Sequence, residues 1–354
     1  MPLPTATPSK IAPLLLHGGD EAFARILQRI VNAKHSIVMR CFDWRDDETG
    51  QMVAEAMLSA AERGVQITIY KDLVGSHYEY FEGNRQSFFH KNIGLFGRVQ
   101  NLALMTAYSQ LASMRQSASS LADALLNHPN ITVLRHAKLF DHAKVCVFDN
   151  EVIILGGMGV GDDFRLHNVD FMVELCEPHV VARYIARCHG DVEFDPTRQL
   201  DFLLHSRDVN GSDASKLLLQ RLSLIDSAAS RLTVEMAYLG DPRFTDALVR
   251  AVHRGVEVTL ITASKANVLA DMNRGTCNQL LRLTRGAANL RIALHPRMVH
   301  SKVTIIDRKI VEIGSQLPPS PMVFTMRWMS TCKTQTLRPS LRQNSKIILC
   351  RVSC

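Results

Sequence analysis

The sequence predicts an α/β protein: two similar α/β/α lobes with mixed, mostly parallel sheets, related by a pseudo-two-fold axis, with the active site at the lobe interface. Three observations carry that expectation. The chain repeats itself, each copy reads strand–helix–strand, and one short polar motif recurs at the equivalent place in both copies.

In the first copy Leu27-Gln28-Arg29 leads into a β-rich run at 36–42, then a helical segment that closes on Arg63-Gly64. In the second, Leu219-Gln220-Arg221 leads into 232–238, then a helical segment that closes on Arg254-Gly255. Each glycine supplies the left-handed residue that ends a helix. The alternating residues that follow, Val65 to Ile69 and Val256 to Leu260, read as strands. Strand, helix, strand in that order is a βαβ unit, which implies parallel pairing.

Each copy continues to a second shared element: His142-Ala143-Lys144 followed by Asp149, and His300-Ser301-Lys302 followed by Asp307. The first copy takes longer to reach it, by about 33 residues, which marks an insertion. The organisation expected is a first lobe at 15–195 with an insertion at 83–122, a polar linker at 196–215, a second lobe at 216–324, and a tail at 325–354. Within the first lobe a strand is expected at 171–175 and a helix at 179–189.

Charge is unevenly spread. The chain has 41 Lys/Arg and 34 Asp/Glu, but residues 313–354 hold six of the basic residues and none of the acidic ones. The body is therefore close to neutral, which argues against a dominant nucleic-acid footprint. Eight cysteines form no metal-type spacing and read as reduced thiols. No apolar run is long enough to span a bilayer. Prolines near the start break the pattern of a signal peptide. The chain reads as cytoplasmic or peripheral on the cytoplasmic membrane.

The two His-x-Lys motifs carry the chemistry. Alternate residues of a strand share a face, so His142 points with Lys144 and His300 with Lys302. Two lobes packed about a two-fold axis would bring both pairs to one pocket. One neutral imidazole can attack phosphorus, the other can donate a proton to the leaving alcohol, and the lysines can neutralise the phosphoryl oxygens. This chemistry calls for no metal and no cofactor.

These motifs are the HKD signature of the phospholipase D superfamily, and the resemblance spans roughly residues 15–320. Within it the chain is most similar to bacterial cardiolipin synthases, on the stretches Arg63-Gly64-Val65, Lys71-Asp72-Leu73-Val74-Gly75-Ser76, Asp141-His142-Ala143-Lys144, Gly156-Gly157-Met158 and Pro296 to Lys302. The resemblance implies His142 as nucleophile and His300 as acid, an order the residues themselves leave open. It implies Asp170, in Asn168-Val169-Asp170, as the acid that holds a histidine ring. Asp149 and Asp307 carry over as the HKD aspartates, with structural hydrogen bonding expected of them. Gly156, Gly157, Gly314, Ser315 and Gln316 carry over as substrate-binding positions. A phosphatidylglycerol-like phospholipid is the implied substrate, to be transferred or hydrolysed. An endonuclease of the same superfamily, or a catalytically impaired copy, are the alternatives.

The chain departs from the family in two places. The pattern Gly-Gly/Ser-x-Asn finds glycine at 159 and leucine at 317. A second Asn-x-acid should fall near residue 328, yet no carboxylate follows Glu312. That leaves His300 without an expected support, and the tail reads as frameshifted or replaced, not as part of the second lobe. Residues 83–122 hold no acid but contain Arg85, Lys91, Arg98 and Arg115, with Phe88, Phe89, Phe96 and Tyr108 among them. This composition fits a peripheral membrane contact, and equally a lid or a core-packed helix pair.

Overall fold

The computed structural model describes residues 12–72, 75, 79, 87–89, 120–134, 142–195, 197–204, 213–265, 270–315, 330–334 and 347–350. In chain order the first lobe holds β1 (Leu14–His17), α1 (Gly19–Asn32), β2 (Ser36–Cys41), α2 (Glu48–Glu62), β3 (Gln66–Lys71), α3 (Ser120–Asn127), β4 (Ile131–Leu134), β5 (Lys144–Phe148), β6 (Val152–Gly156), a π turn (Asp163–His167), β7 (Phe171–Leu175) and α4 (Pro178–His189). There follow β8 (Phe202–Leu204), α5 (Asp213–Asp226), β9 (Arg231–Met236), α6 (Pro242–His253), β10 (Glu257–Ala263), α7 (Ala270–Leu283), β11 (Leu290–His295), β12 (Lys302–Ile306), β13 (Ile310–Gly314), β14 (Ser330–Thr334) and β15 (Ile347–Cys350).

The first sheet runs β1-β7-β6-β5-β2-β3-β4 and the second β11-β10-β9-β12-β13-β15-β14-β8. The two share a plan: β2, β3, β4, β5 and β6 correspond to β9, β10, β11, β12 and β13. The βαβ reading holds, since β2–β3 and β9–β10 are parallel and Gly64 and Gly255 sit at φ 95° and 84° after their helices.

The sheets are mixed, but parallel pairing does not predominate in them. The motif strand β5 pairs antiparallel with both β2 and β6, and β12 does the same with β9 and β13. For the β5–β6 and β12–β13 pairs the reason is local. Asp149-Asn150 and Asp307-Arg308 all take positive φ, between 50° and 55°, and turn the chain directly back on itself. A tight hairpin can join only antiparallel neighbours.

Helices α1, α2 and α3 pack on one face of the first sheet through Phe23, Ile26, Met57 and Leu125 against Ile67 and Ile69. Helix α6 covers the second sheet through Phe244, Leu248 and Val252 against Val234 and Leu260. A third apolar cluster joins the lobes: Val145, Ile153, Leu155 and Val173 of the first sheet meet Phe202, Val303, Val311 and Ile313, with Val181 and Tyr184 of α4. Each buried side chain of this size contributes about 1.5–3 kcal/mol, so a shared core of this extent fixes the lobes against one another.

Two boundary expectations change. The linker is not wholly irregular, because β8 lies within it and Phe202 is fully buried. The tail does reach the second lobe: β15 pairs parallel with β13, and β14 bridges β15 to β8. The run Ile347-Ile348-Leu349 is a strong strand former and finds the free edge of β13. The equivalent edge of the first sheet, β6, is met by β7 in the antiparallel sense. Most of 83–122 lies outside the described residues. Phe88 and Phe89 do not: they are buried against Trp44 in the first lobe's core, with ring centroids 5.4 and 5.1 Å from it. These two aromatics are therefore core residues and do not face lipid.

Candidate active site

Strands β5 and β12 begin at the motif lysines, two residues after their histidines, at matched places in the two sheets, and deliver both motifs to the seam between lobes. In each the lysine returns to its own histidine, as strand alternation requires. Lys144 Nζ lies 3.4 Å from His142 Nε2 and donates to the His142 carbonyl at 3.2 Å. Lys302 Nζ lies 3.2 Å from both ring nitrogens of His300 and also meets its carbonyl.

The segment 168–170 of the first lobe crosses to the second and builds the His300 half of the site. Val169 N donates to Met298 O at 2.8 Å, and Val169 O accepts from His300 N and Ser301 N at 2.8 and 3.1 Å. One residue on, Asp170 Oδ2 lies 2.7 Å from His300 Nδ1. Asp170 is itself held at two further points: Oδ1 accepts from Phe171 N at 2.8 Å and its carbonyl accepts from Gly18 N at 3.1 Å. Gly157 must be glycine for this to happen, since a Cβ there would stand 2.3 Å from Asp170 Oδ1. Gly156 is equally tight, with 2.3 Å from such a Cβ to the Phe171 carbonyl.

This arrangement corrects the expectation about His300. Its carboxylate comes from the other lobe, so the missing acid of the tail does not leave it unsupported. His142 Nδ1 lies instead 2.6 Å from the Ser315 carbonyl oxygen, a neutral acceptor. By the pseudo-symmetry of the lobes, the acid absent from the tail is the one that would have faced His142.

Electrostatics follow from crowding. Burial, then the ammoniums of Lys144 and Lys302 and the second histidine, hold His142 well below 6.5. Burial and Lys302 hold His300 at about 4 against the upward pull of Asp170. Burial brings Lys302 down to about 7, with Asp170 opposing and Lys144 assisting. The site thus crowds positive and basic groups whose charge an anion would favour.

Asp149 and Asp307 face away from this chemistry. Asp149 accepts from the backbone N–H of Lys34, His35 and Ser36 at 2.8–2.9 Å, and Asp307 from Ala229, Ser230 and Arg231 over the same range. Each pins the start of β2 or β9 to the hairpin that follows the motif strand. Ser315 is buried beside His142, Gly314 ends β13, and Gln316 lies outside the described residues.

Two aromatic neighbours were not legible beforehand. The Phe42 ring lies 4.5 Å from the His142 ring, and Phe164 lies 5.2 Å from His300. Phe42 directly follows β2 and closes the β-rich run at 36–42, so the alternation of that run was a signal for it. Phe164 sits in the π turn, which no periodicity announces.

A family model described as cardiolipin synthase, PLD-like domain, matches residues 26–191 and 222–316. A cardiolipin synthase A of Pseudomonas syringae pv. syringae is 26% identical over 327 residues, covering 85% of this chain and 60% of that protein. A cardiolipin synthase of Halalkalibacterium halodurans is 23% identical over 343 residues, covering 89% and 60%. The chain thus spans about three fifths of the length of these curated relatives. Among solved structures, a phosphatidylserine synthase from Haemophilus influenzae Rd KW20 shares the fold, with a TM-score of 0.59 at 11% identity over 84% of this chain and 76% of that one.

Proposed function

The chain belongs to the cardiolipin synthase, phospholipase D-like domain family, and from that membership we propose that it transfers or hydrolyses a phospholipid phosphodiester through a phosphohistidine on His142. One observation carries the assignment of roles: among the described residues, His300 meets a carboxylate at Nδ1 and His142 a carbonyl.

Both contacts favour Nδ1 as the protonated nitrogen and turn Nε2 toward the lysine of its own motif, where the phosphoryl oxygens would sit. Opposite a neutral carbonyl, and with burial, Lys144 and Lys302 all opposing its cationic form, His142 stays a neutral nucleophile. Opposite Asp170, His300 gains a proton when an anionic phosphate enters and offsets the surrounding positive charge. His142 Nε2 then forms the N–P bond as the P–O bond to the leaving alcohol breaks, and His300 gives that oxygen its proton. In the second half a water or alcohol loses its proton to His300, attacks phosphorus, and the N–P bond breaks. Lys144 and Lys302 neutralise the non-bridging oxygens throughout. No step calls for a metal, so EDTA should leave the rate unchanged.

The relatives named cardiolipin synthase favour a phosphatidylglycerol-like substrate over nucleic acid, as does the near-neutral body. The test is purified protein with labelled phosphatidylglycerol in vesicles. Cardiolipin as product identifies a transferase and phosphatidic acid a hydrolase. Turnover of neither, with cleavage of DNA by the same preparation, would overturn the lipid reading.

A further inference from the structure

Phe164 takes no part in the transfers just described, yet it walls the imidazole on which they depend. Its ring meets His300 edge to face, at 5.2 Å between centroids and 72° between planes, and it is buried. The Arg45 guanidinium lies over the same ring, its carbon 5.5 Å from the centroid. The backbone that carries Phe164 is clamped from both lobes. On one side a Cβ at Gly19 would stand 2.2 Å from Arg165 Cα, so α1 packs directly on the π turn. On the other, Arg297 of the second lobe donates to the carbonyls of Leu166 and His167 at 3.2 and 3.1 Å.

Gly159 completes the arrangement. A Cβ at this position would stand 2.8 Å from Phe164 Cε2 and 2.9 Å from Cζ, with the Asp43 Cβ at 3.0 Å. Carbon atoms do not pack that closely, and the ring is already flanked by His300 and Arg45, so any side chain at 159 must displace it.

We propose that Phe164 is a positioning residue for His300, and that glycine stands at 159 to admit its ring. The inference rests on the two-histidine reading above and deepens it. Asp170 and the Lys302 ammonium hold the imidazole at its nitrogen edge and leave its carbon edge to be fixed by packing. The edge-to-face contact with Phe164 supplies that packing and keeps Nε2 aimed at the reacting oxygen. The position that carries asparagine in the family pattern is thus given over to an aromatic wall.

The test is a double-mutant cycle on Phe164→Leu and Gly159→Ala, with bis(p-nitrophenyl) phosphate as the substrate and thermal melting to verify folding. Each single variant should lower kcat by roughly tenfold while KM changes by less than about twofold, the signature of a misplaced base in the step that resolves the N–P bond. The double variant should be no slower than Phe164→Leu alone, because a smaller side chain at 164 makes room for the new methyl. A second readout needs no substrate: the ring carbon resonances of His300, assigned by their loss in His300→Gln. In Phe164→Leu its titration should move back toward the ordinary histidine value, while that of His142 stays in place. Additive losses in the cycle, a folded Phe164→Leu with unchanged kcat, or an unmoved His300 titration would each overturn the proposal. If the His300 titration moves but no phosphodiester turns over even in the parent protein, the functional reading fails and the positioning role stands.

Discussion

His142 and His300 are chemically the same residue in two different holders, and acid should expose the difference. His300 sits at about 4 in the folded chain and near 6.5 when unfolded. Between those values the unfolded chain binds a proton that the folded chain does not. The stability linked to His300 is therefore full above about pH 6.5 and is lost as pH falls toward 4, by about 3 kcal/mol at most. The HKD aspartates add a separate, lower window. Asp307 lies at about 2 in the folded state, held there by three backbone amides and the Ser230 hydroxyl against the cost of burial, so its stabilisation is lost only as pH falls from about 4 toward 2. Urea midpoints measured from about pH 7 down to pH 4 should fall with acid, and His300→Gln should flatten part of that slope. An identical slope in the variant would show that His300 is not held neutral by burial.

At the scale of elements, the motif strands are anchored at their far ends by the aspartates that the motif is named for. Asp149→Ala or Asp307→Ala would strand three backbone amides at the start of β2 or β9. Most of these amides are open to water, so each change should cost roughly 0.5–1.5 kcal/mol, read as a shift in urea midpoint, with KM little changed. A large loss of kcat without loss of stability would instead place the aspartate in the chemistry. The repeat, the βαβ units and the glycine caps were legible because they depend on local pattern: 3.6 and 2.0 periodicity and one left-handed residue. The antiparallel motif hairpins were less so. Their signal was the pair of turns Asp149-Asn150 and Asp307-Arg308, only one of which has the composition of a tight turn. Asp170 was legible as an acid, but not its destination, since which lobe a carboxylate enters is decided by how Val169 pairs with the strand end at Met298. Phe164 was invisible because a π turn has no repeating pattern.

At the scale of the whole molecule, the lobes form one body around a shared apolar cluster, and the site exists only where they meet. His300 and its carboxylate belong to different lobes, so the His300 half of the site is built by both. Membrane contact is a proposal that rests on the basic residues of 83–122, and the core positions of Phe88, Phe89 and Ala122 constrain its test. Deleting the whole segment would remove core side chains, whereas replacing Arg85, Lys91, Arg98 and Arg115 by serine leaves those in place. That variant should lose affinity for anionic vesicles, by up to about 1 kcal/mol per charge near the surface. Undiminished vesicle binding would remove the segment from any membrane role.

The central claim is that His142 takes the phosphoryl group and His300 handles the proton, and it can be read from one burst experiment. An activated diester such as bis(p-nitrophenyl) phosphate has a leaving group that needs no acid, so His300→Ala should still form the N–P bond but lack the base that resolves it. Stopped-flow release of about one equivalent of nitrophenolate, followed by little turnover and a covalent adduct on His142, is the predicted result. His142→Ala should show no burst. A burst in His142→Ala with the adduct on His300, or none in either variant while the parent protein turns over, would contradict the assignment.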